Sequence, residues 1–398
     1  MPEAVIVDAI RTPIGRAVKG SLRSLRADNL AAIPLRALIE RNPQLDQASI
    51  VDVMMGCGYG EGEQGYNVGR LAVLLAGIDH HVPGTTVNRF CASSLQTTRM
   101  AFHAIKAGEG DTYIASGVEA VSRTGRGSSS FELNPILDGS AGSLYDAYIS
   151  MGMTAENVAE RCKVSRESQD EWALISQTRA VAAQADGHFD SEIVPVTVPA
   201  HTETDKEGNE IELPETVVSK DDGPRPGTTL EKLAALAPVF KEGGTVTAGN
   251  ACPLNDGAAA LLVMSDEKAR ELGMRPRARI IASSVAAIRP EIMGLGPIPA
   301  VQKVLAATGM TIGDIDVVEI NEAFAAQIVP CKEELGIDDE KLNPFGGAIA
   351  LGHPFGMTGA RIMTTLLNDL DTLDGTYGLE SMCVAGGMGM AMLVERLA

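Results

Sequence analysis

The sequence predicts an α/β protein made of two copies of one unit, with an inserted segment of different composition between them. Three observations carry this. Strand and helix patterns recur in the same order in both parts of the 398-residue chain. The recurrences, Asp52 to Ile114 and Asp316 to Cys383, cover similar spans. The stretch between them is rich in Gly, Ser, Pro and charge, a composition of loops.

In the first copy, AVIVDAIRTPIG reads as a strand and a turn, and IVDVMMGCGYG as a second strand ending in glycines. TTVNRFC then runs from a strand into the helix ASSLQTTRMAFHAIKAG, stopped by Gly108. DTYIASGVEAVS follows as a buried strand. In the second copy, ARIIASSVAA is a strand and DIDVVEINEAFA a strand with a turn. LNPFGGAIALGHPFGMTGARIMTTLLNDL is a Gly-rich loop feeding a helix, and ESMCVAGGMGMAMLVERL closes with an apolar strand and a glycine turn. The insertion carries a helical stretch from MTAENVAE to Gly187, and loops at GRGSSSFELNP and from His201 to Pro226. The expected division is 1–121 with 247–271 as the first half, 122–246 as the insertion, and 272–398 as the second half.

Apolar residues make up 45% of the chain, enough for a large core, while aromatics are only 4% and Gly numbers 42, so small residues must do much of the packing. The formal net charge of -19 argues against nucleic acid or an anionic membrane as partner. The six cysteines form no CxxC pair and fit free thiols in a reducing cytosol. No apolar run is long enough to span a bilayer, and the N-terminus enters a strand pattern at once, so a cytoplasmic protein without a leader is expected.

Cys91 sits where a strand gives way to a helix. There the positive end of the helix dipole favours thiolate, and free backbone N–H groups can face an oxyanion. The competing reading is a small buried apolar residue. His353 lies among glycines that leave room for a slender ligand, and an imidazole there can take a thiol proton. The same run lacks the lysine of a phosphate-binding loop and does not fit GxGxxG. Cys383 ends an apolar strand, and beside a second thiol and a histidine it could move a proton. Asn321 can donate to a substrate oxygen or fix a water; Glu322 could orient Asn321 or His353, or be an ordinary paired carboxylate. His80 and His81 are adjacent, so they are expected to point apart, and no metal site is expected.

These segments together resemble the thiolase family over nearly the whole chain. VNRFCASS is similar to the family's nucleophile turn, and NEAFAAQ, GGAIALGHPFGMTGAR and CVAGGMGMAM to its three C-terminal catalytic motifs. TVTAGN, LNDGAAAL and MGMTAENVAE resemble segments lining its acyl and pantetheine channel. The resemblance implies a five-layered α/β/α/β/α fold of two similar halves, with a loop domain over coenzyme A.

It also implies a chemistry. Cys91 would carry the acyl group as a thioester, His353 would take its proton, and Cys383 would be the general acid/base at the α-carbon. Asn321, through a water, and His353 would form one oxyanion hole; the backbone N–H groups of Cys91 and Ala385 would form the other. Arg225 resembles the family arginine near the adenine end of coenzyme A, and Cys252, Met151 and Phe324 stand at substrate-binding positions. The expected activity is cleavage of a 3-ketoacyl-CoA by coenzyme A, or the reverse condensation, with ping-pong kinetics, in fatty-acid or related acyl-CoA degradation. Coenzyme A is then a substrate, no tightly bound cofactor or metal is expected, and a homodimer or homotetramer is.

Departures from the family pattern are Ser94 and Ala385, where many members carry glycine, and Cys252, where many carry a serine. Ser150 stands where short-chain biosynthetic members often carry histidine, which leans the reading toward degradation. Two other readings compete. Other condensing enzymes of this fold lack the second cysteine in a C-x-x-G-G-x-G setting. A non-catalytic acyl-CoA-binding protein would not need Cys91, Asn321, His353 and Cys383 together.

Overall fold

Strand Asn255–Ser265 is buried along its whole length, as an apolar run must be when both faces of its sheet are covered. Leu261 and Val263 enter one core and Leu262 and Met264 the other, following the two-residue period of a strand. The computed structural model describes residues 2–124, 132–204 and 208–397.

Around this strand the N-terminal half runs in the order Gly84–Val87, Asp52–Gly56, Thr112–Ala120, Asn255–Ser265, Ala4–Arg11. The first three are mutually parallel, and the last two steps are antiparallel. The C-terminal half repeats this. A parallel bridge at Leu342 is followed by Val317–Ile320, Tyr377–Val384, Met388–Arg396 and Ala278–Ala287, with the same senses of pairing. The duplication suggested by spacing is therefore a duplication of topology. The halves join where Val5 and Ile6 pair with Arg279 and Ala278.

Three apolar cores separate five layers. Helices Ala27–Arg41 and Val68–Ala76 cover the outer face of the N-terminal half. Helices Ser93–Ala107 and Thr358–Thr372 fill the space between the halves. Helices Pro297–Thr308 and Ala325–Leu335 cover the outer face of the C-terminal half. Each fully buried Leu or Met in these layers contributes about 1.5–3 kcal/mol. The two central helices begin against each other: the Ala360 N–H donates to Ser94 Oγ at 2.8 Å, and a Cβ on Gly359 would lie 2.3 Å from the Leu95 nitrogen. Gly108, with φ 75°, ends the first of them as the sequence predicts.

The structure refines three expectations. The helical stretch of the insertion is two helices, Met151–Cys162 and Arg166–Ala185, broken at Lys163 in the left-handed region and restarted by the Ser165 cap. The segment read as loops from His201 contains two small antiparallel pairs, His201–Thr204 with Glu210–Leu213, and Val196–Val198 with Thr216–Val218. The turn after NEAFA continues into helix Ala325–Leu335. The GRGSSSF part of the other predicted loop lies outside the described residues.

Buried Arg11 anchors this insertion, donating to Glu192 at 2.6 Å and to Asp221 at 2.7 and 3.0 Å. That fixes the following loop, where Gly223 lies so close to the 348–351 helical turn that a Cβ would meet the Ala350 oxygen at 2.0 Å. No described helix is long and apolar enough to cross a membrane.

Candidate active site

Cys91 lies in a single helical turn, Phe90–Ala92, directly before helix Ser93–Ala107. Phe90 takes a positive φ of 45°, uncommon for a bulky residue and an indication of local strain. The backbone N–H groups of Ala385 and of Cys91 itself face the sulfur. Contrary to the sequence expectation, the resting thiol is not acidified. Burial pushes it up to about 12, and the two N–H groups only partly offset this. Glu119 raises it further.

Ala385 needs no glycine. The left-handed positions of this turn are Gly386 and Gly387, both at φ 79°. Ser94 is accommodated by two glycines: a Cβ on Gly56 would lie 2.4 Å from the Ser94 nitrogen, and one on Gly117 would lie 2.7 Å from the Ser94 Cβ.

His353 is buried just before the second central helix. Its N–H donates to Asn255 Oδ1 at 2.9 Å, and its ring meets Phe355 edge-on. Nδ1 lies 2.6 Å from Thr358 Oγ1. Burial, then the Arg361 charge, pushes its pKa down to about 3, so the imidazole rests neutral. Asn321 Nδ2 lies 3.4 Å from Nε2. Asn321 Oδ1 is buried without a hydrogen-bond partner among the described residues. It can take a donor from a ligand or water.

Cys383 is fully buried at the end of strand Tyr377–Val384. Burial raises it well above the usual thiol range, followed by the Cys91, Cys331 and Cys252 thiols. Cys252 is half-buried and is likewise raised, by burial and then by Cys91. The Cys91, Cys252 and Cys383 thiols are thus within electrostatic reach of one another, and all are raised toward the neutral form.

Glu322 orients neither Asn321 nor His353 directly. It accepts from Trp172 Nε1, Ser176 Oγ, Asn343 Nδ2 and the Ile349 N–H at 2.6–3.1 Å, tying the insertion's long helix to the loop before His353. His80 and His81 do not point apart. Both Nδ1 atoms face Asp79 Oδ1, at 3.6 and 2.9 Å, with ring centroids 4.0 Å apart. This exposed group lies among the loops before strand Gly84–Val87.

A cleft of about 290 Å³ is lined by Gln177, Arg225, Lys232, Leu236, Ala251 and Pro253. The last two flank Cys252 in sequence. Phe324 bridges Ala251 and stands 6.1 Å, edge to face, from the Phe240 ring. Phe240 in turn covers Gly152, beside Met151. Phe324 and Phe240 thus link Ala251, the neighbour of Cys252, to Gly152, the neighbour of Met151, while Cys252, Phe324 and Met151 are not among the residues lining the Arg225 cleft.

Sequence reasoning missed Thr358, Asn255, Lys232 and Glu119. The signal for Thr358 was present: a hydroxyl five residues after His353, at a helix start. Asn255 opens LNDGAAAL but shows its role only when folded.

Residues 4–267 match the family described as thiolase, N-terminal domain, and residues 274–396 match thiolase, C-terminal domain. The chain belongs to the thiolase family. As a thiolase it is similar to a beta-ketoadipyl-CoA thiolase of Acinetobacter baylyi, 48% identical with all of both chains covered. It is also similar to the 3-oxoadipyl-CoA/3-oxo-5,6-dehydrosuberyl-CoA thiolase of Escherichia coli K12, 47% identical over the same extent. The crystal structure of the Bacillus anthracis acetyl-CoA acetyltransferase superposes with a TM-score of 0.88 at 38% identity, covering 100% of this chain and 99% of that one. Thiolases are acyltransferases acting on acyl-CoA thioesters, and this chain is an enzyme of that class.

Proposed function

We propose that this thiolase cleaves 3-oxoadipyl-CoA with coenzyme A in a degradative route. Two buried pairs support the chemistry: Asn321 Nδ2 lies 3.4 Å from His353 Nε2, and the Cys383 thiol is within electrostatic reach of Cys91. Cys91 attacks the 3-oxo carbon, and its proton passes to neutral His353. The N–H groups of Cys91 and Ala385 hold the oxyanion. The bond between the α-carbon and the 3-oxo carbon breaks, leaving the enolate of acetyl-CoA. His353 and Asn321 stabilise its oxygen, and Cys383 protonates its carbon. The Cys383 thiolate then takes the thiol proton of coenzyme A, whose sulfur displaces Cys91 from the acyl group; Cys91 recovers its proton from His353, and the six-carbon dicarboxylic substrate has given acetyl-CoA and succinyl-CoA. The cleft at Arg225 and Lys232 is suited to the phosphates and adenine of coenzyme A.

The substrate choice is supported by the names of the two relatives, and Arg289, 64% exposed beside the glycine turn after Ala385, is the cation offered for the second carboxylate. The backbone of Arg289 abuts Gly387, and its guanidinium lies 5.3 Å over the Tyr145 ring, held by Glu291. A second reading, a fatty 3-ketoacyl-CoA, is favoured by the apolar contacts of Phe240 with Phe324 and with Gly152, beside Met151. Acetoacetyl-CoA synthesis is the less favoured reading, because Ser150, which caps helix Met151–Cys162, stands where short-chain biosynthetic members often carry histidine. The active unit is proposed to be a homo-oligomer.

Thiolysis of 3-oxoadipyl-CoA, 3-oxohexanoyl-CoA, 3-oxodecanoyl-CoA and acetoacetyl-CoA tests this. The dicarboxylic substrate should show the highest kcat/KM, and Arg289→Ala should lower that preference over 3-oxohexanoyl-CoA. Equal or better cleavage of the monocarboxylic chains would favour the fatty-acyl reading.

A further inference from the structure

Glu119 is a fully buried carboxylate near the end of strand Thr112–Ala120. It accepts four hydrogen bonds, all from N–H donors: Gly58 N at 2.8 Å, Tyr59 N at 3.2 Å, Gln64 Nε2 at 2.6 Å and Gly356 N at 2.9 Å. A shell made only of donors suits the ionised form. Three donors belong to the N-terminal half, and the fourth belongs to the loop of the C-terminal half that carries His353.

The loops meet here with no space to spare. A Cβ on Gly356 would lie 2.2 Å from the Val118 oxygen and 2.8 Å from the Cys57 Cα. One on Gly58 would lie 2.8 Å from Glu119 Oε2, 3.1 Å from the Phe355 Cβ and 3.7 Å from the Phe90 Cα. Phe90 precedes the nucleophile. Tyr59 meets the Phe355 ring edge-on at 5.4 Å, and Phe355 meets His353 edge-on at 5.0 Å. A continuous path of contacts therefore runs from Glu119 through Tyr59 and Phe355 to His353, and another through Gly58 to the turn of Cys91.

We infer that Glu119 is a positioning residue that locks the His353 loop against the Cys91 turn. The titratable groups facing it are Cys57, Tyr59 and Cys91. Among the described residues no cation pairs with it. Burial pushes Glu119 up to about 7 while its donors hold it down, so the carboxylate is partly protonated at neutral pH and fully charged only above it. The inference rests on the roles proposed above for Cys91 and His353.

Two variants test it. Glu119→Gln turns an amide nitrogen toward an N–H donor and removes the charge. Its kcat should fall roughly 10–100-fold, the range for a misplaced catalytic group, with KM for coenzyme A unchanged because the Arg225 cleft is separate. Alkylation of Cys91 by iodoacetamide should keep the wild-type pH profile, because the burial that dominates the titration of the thiol is unchanged. Glu119→Asp keeps the charge but shortens the reach. It should lose kcat and retain the wild-type alkylation profile. Wild-type kcat in both variants would overturn the inference. So would a Gln variant in which alkylation slows in step with kcat and Tm, the signature of a merely structural role. If the Gln variant does not fold, the Asp variant decides: reduced kcat at the wild-type alkylation profile supports the inference, and wild-type kcat overturns it. A wild-type enzyme that cleaves no 3-oxoacyl-CoA, or is alkylated elsewhere than at Cys91, would instead fault the proposed function.

Discussion

Thr358 fixes the tautomer of His353. Its hydroxyl donates to the Pro354 carbonyl at 2.8 Å, so toward His353 Nδ1, 2.6 Å away, it can only accept. The imidazole proton is therefore on Nδ1, and Nε2 is the basic nitrogen. Thr358→Val keeps the shape and removes the acceptor. Its kcat for thiolysis should fall about 10-fold or more while KM for coenzyme A stays, as expected when only the orientation of a base is lost. A change confined to KM would show that Thr358 has no such role.

The neutral imidazole also makes a pH prediction. His353 is held near 3 in the fold, against about 6.5 for an unfolded histidine. A group with a depressed folded pKa gives stability that is fully present above its unfolded value. As pH falls below about 6.5 the unfolded chain takes a proton that the fold refuses, and stability drops until the folded pKa is passed. Tm should therefore fall less between neutral pH and pH 4–5, an interval inside that window, in His353→Asn than in wild type. Equal losses would mean the histidine is not held neutral. The raised carboxyls Glu319, Asp369 and Glu380 act in the opposite sense but are common to both proteins.

Cys383 and Cys91 should separate by half-reaction. In Cys383→Ala, acyl transfer from acetyl-CoA to Cys91 should remain measurable, while exchange of the acetyl-CoA α-protons with deuterated solvent falls by about 100-fold or more, the scale of a lost general acid/base. Equal loss of both would contradict the division of labour.

Arg225 is predicted to serve the nucleotide end. Arg225→Ala should raise KM for coenzyme A severalfold and leave kcat for truncated pantetheine thiols nearly unchanged. Its N–H bond to Gln177 Oε1, at 2.9 Å, is a backbone contact that the substitution keeps. An equal effect on both thiols would remove Arg225 from that role.

The sequence exposed the two halves because a strand buried on both faces leaves an unbroken apolar run, and the glycine turns punctuate it. It exposed Cys91, His353, Asn321 and Cys383 because each sits in a compact motif at a strand or helix end. It hid Glu119, whose Gly356 donor is 237 positions away, and Asn255, whose contact with the His353 N–H spans 98. Glu322 was visible, but its partners on Trp172 and Ser176 were not. The resting protonation of Cys91 was misread for a related reason. Position before a helix is legible, whereas the burial that outweighs the dipole is created by residues from both halves.

The most direct test of the whole account is the identity of the acylated residue. Brief incubation with isotopically labelled acetyl-CoA, acid quench and peptide mass analysis should find the acetyl group on Cys91 alone, and none in Cys91→Ala. Label on neighbouring Cys252 or Cys383 in an enzyme that still performs thiolysis, or turnover that persists in Cys91→Ala, would contradict it.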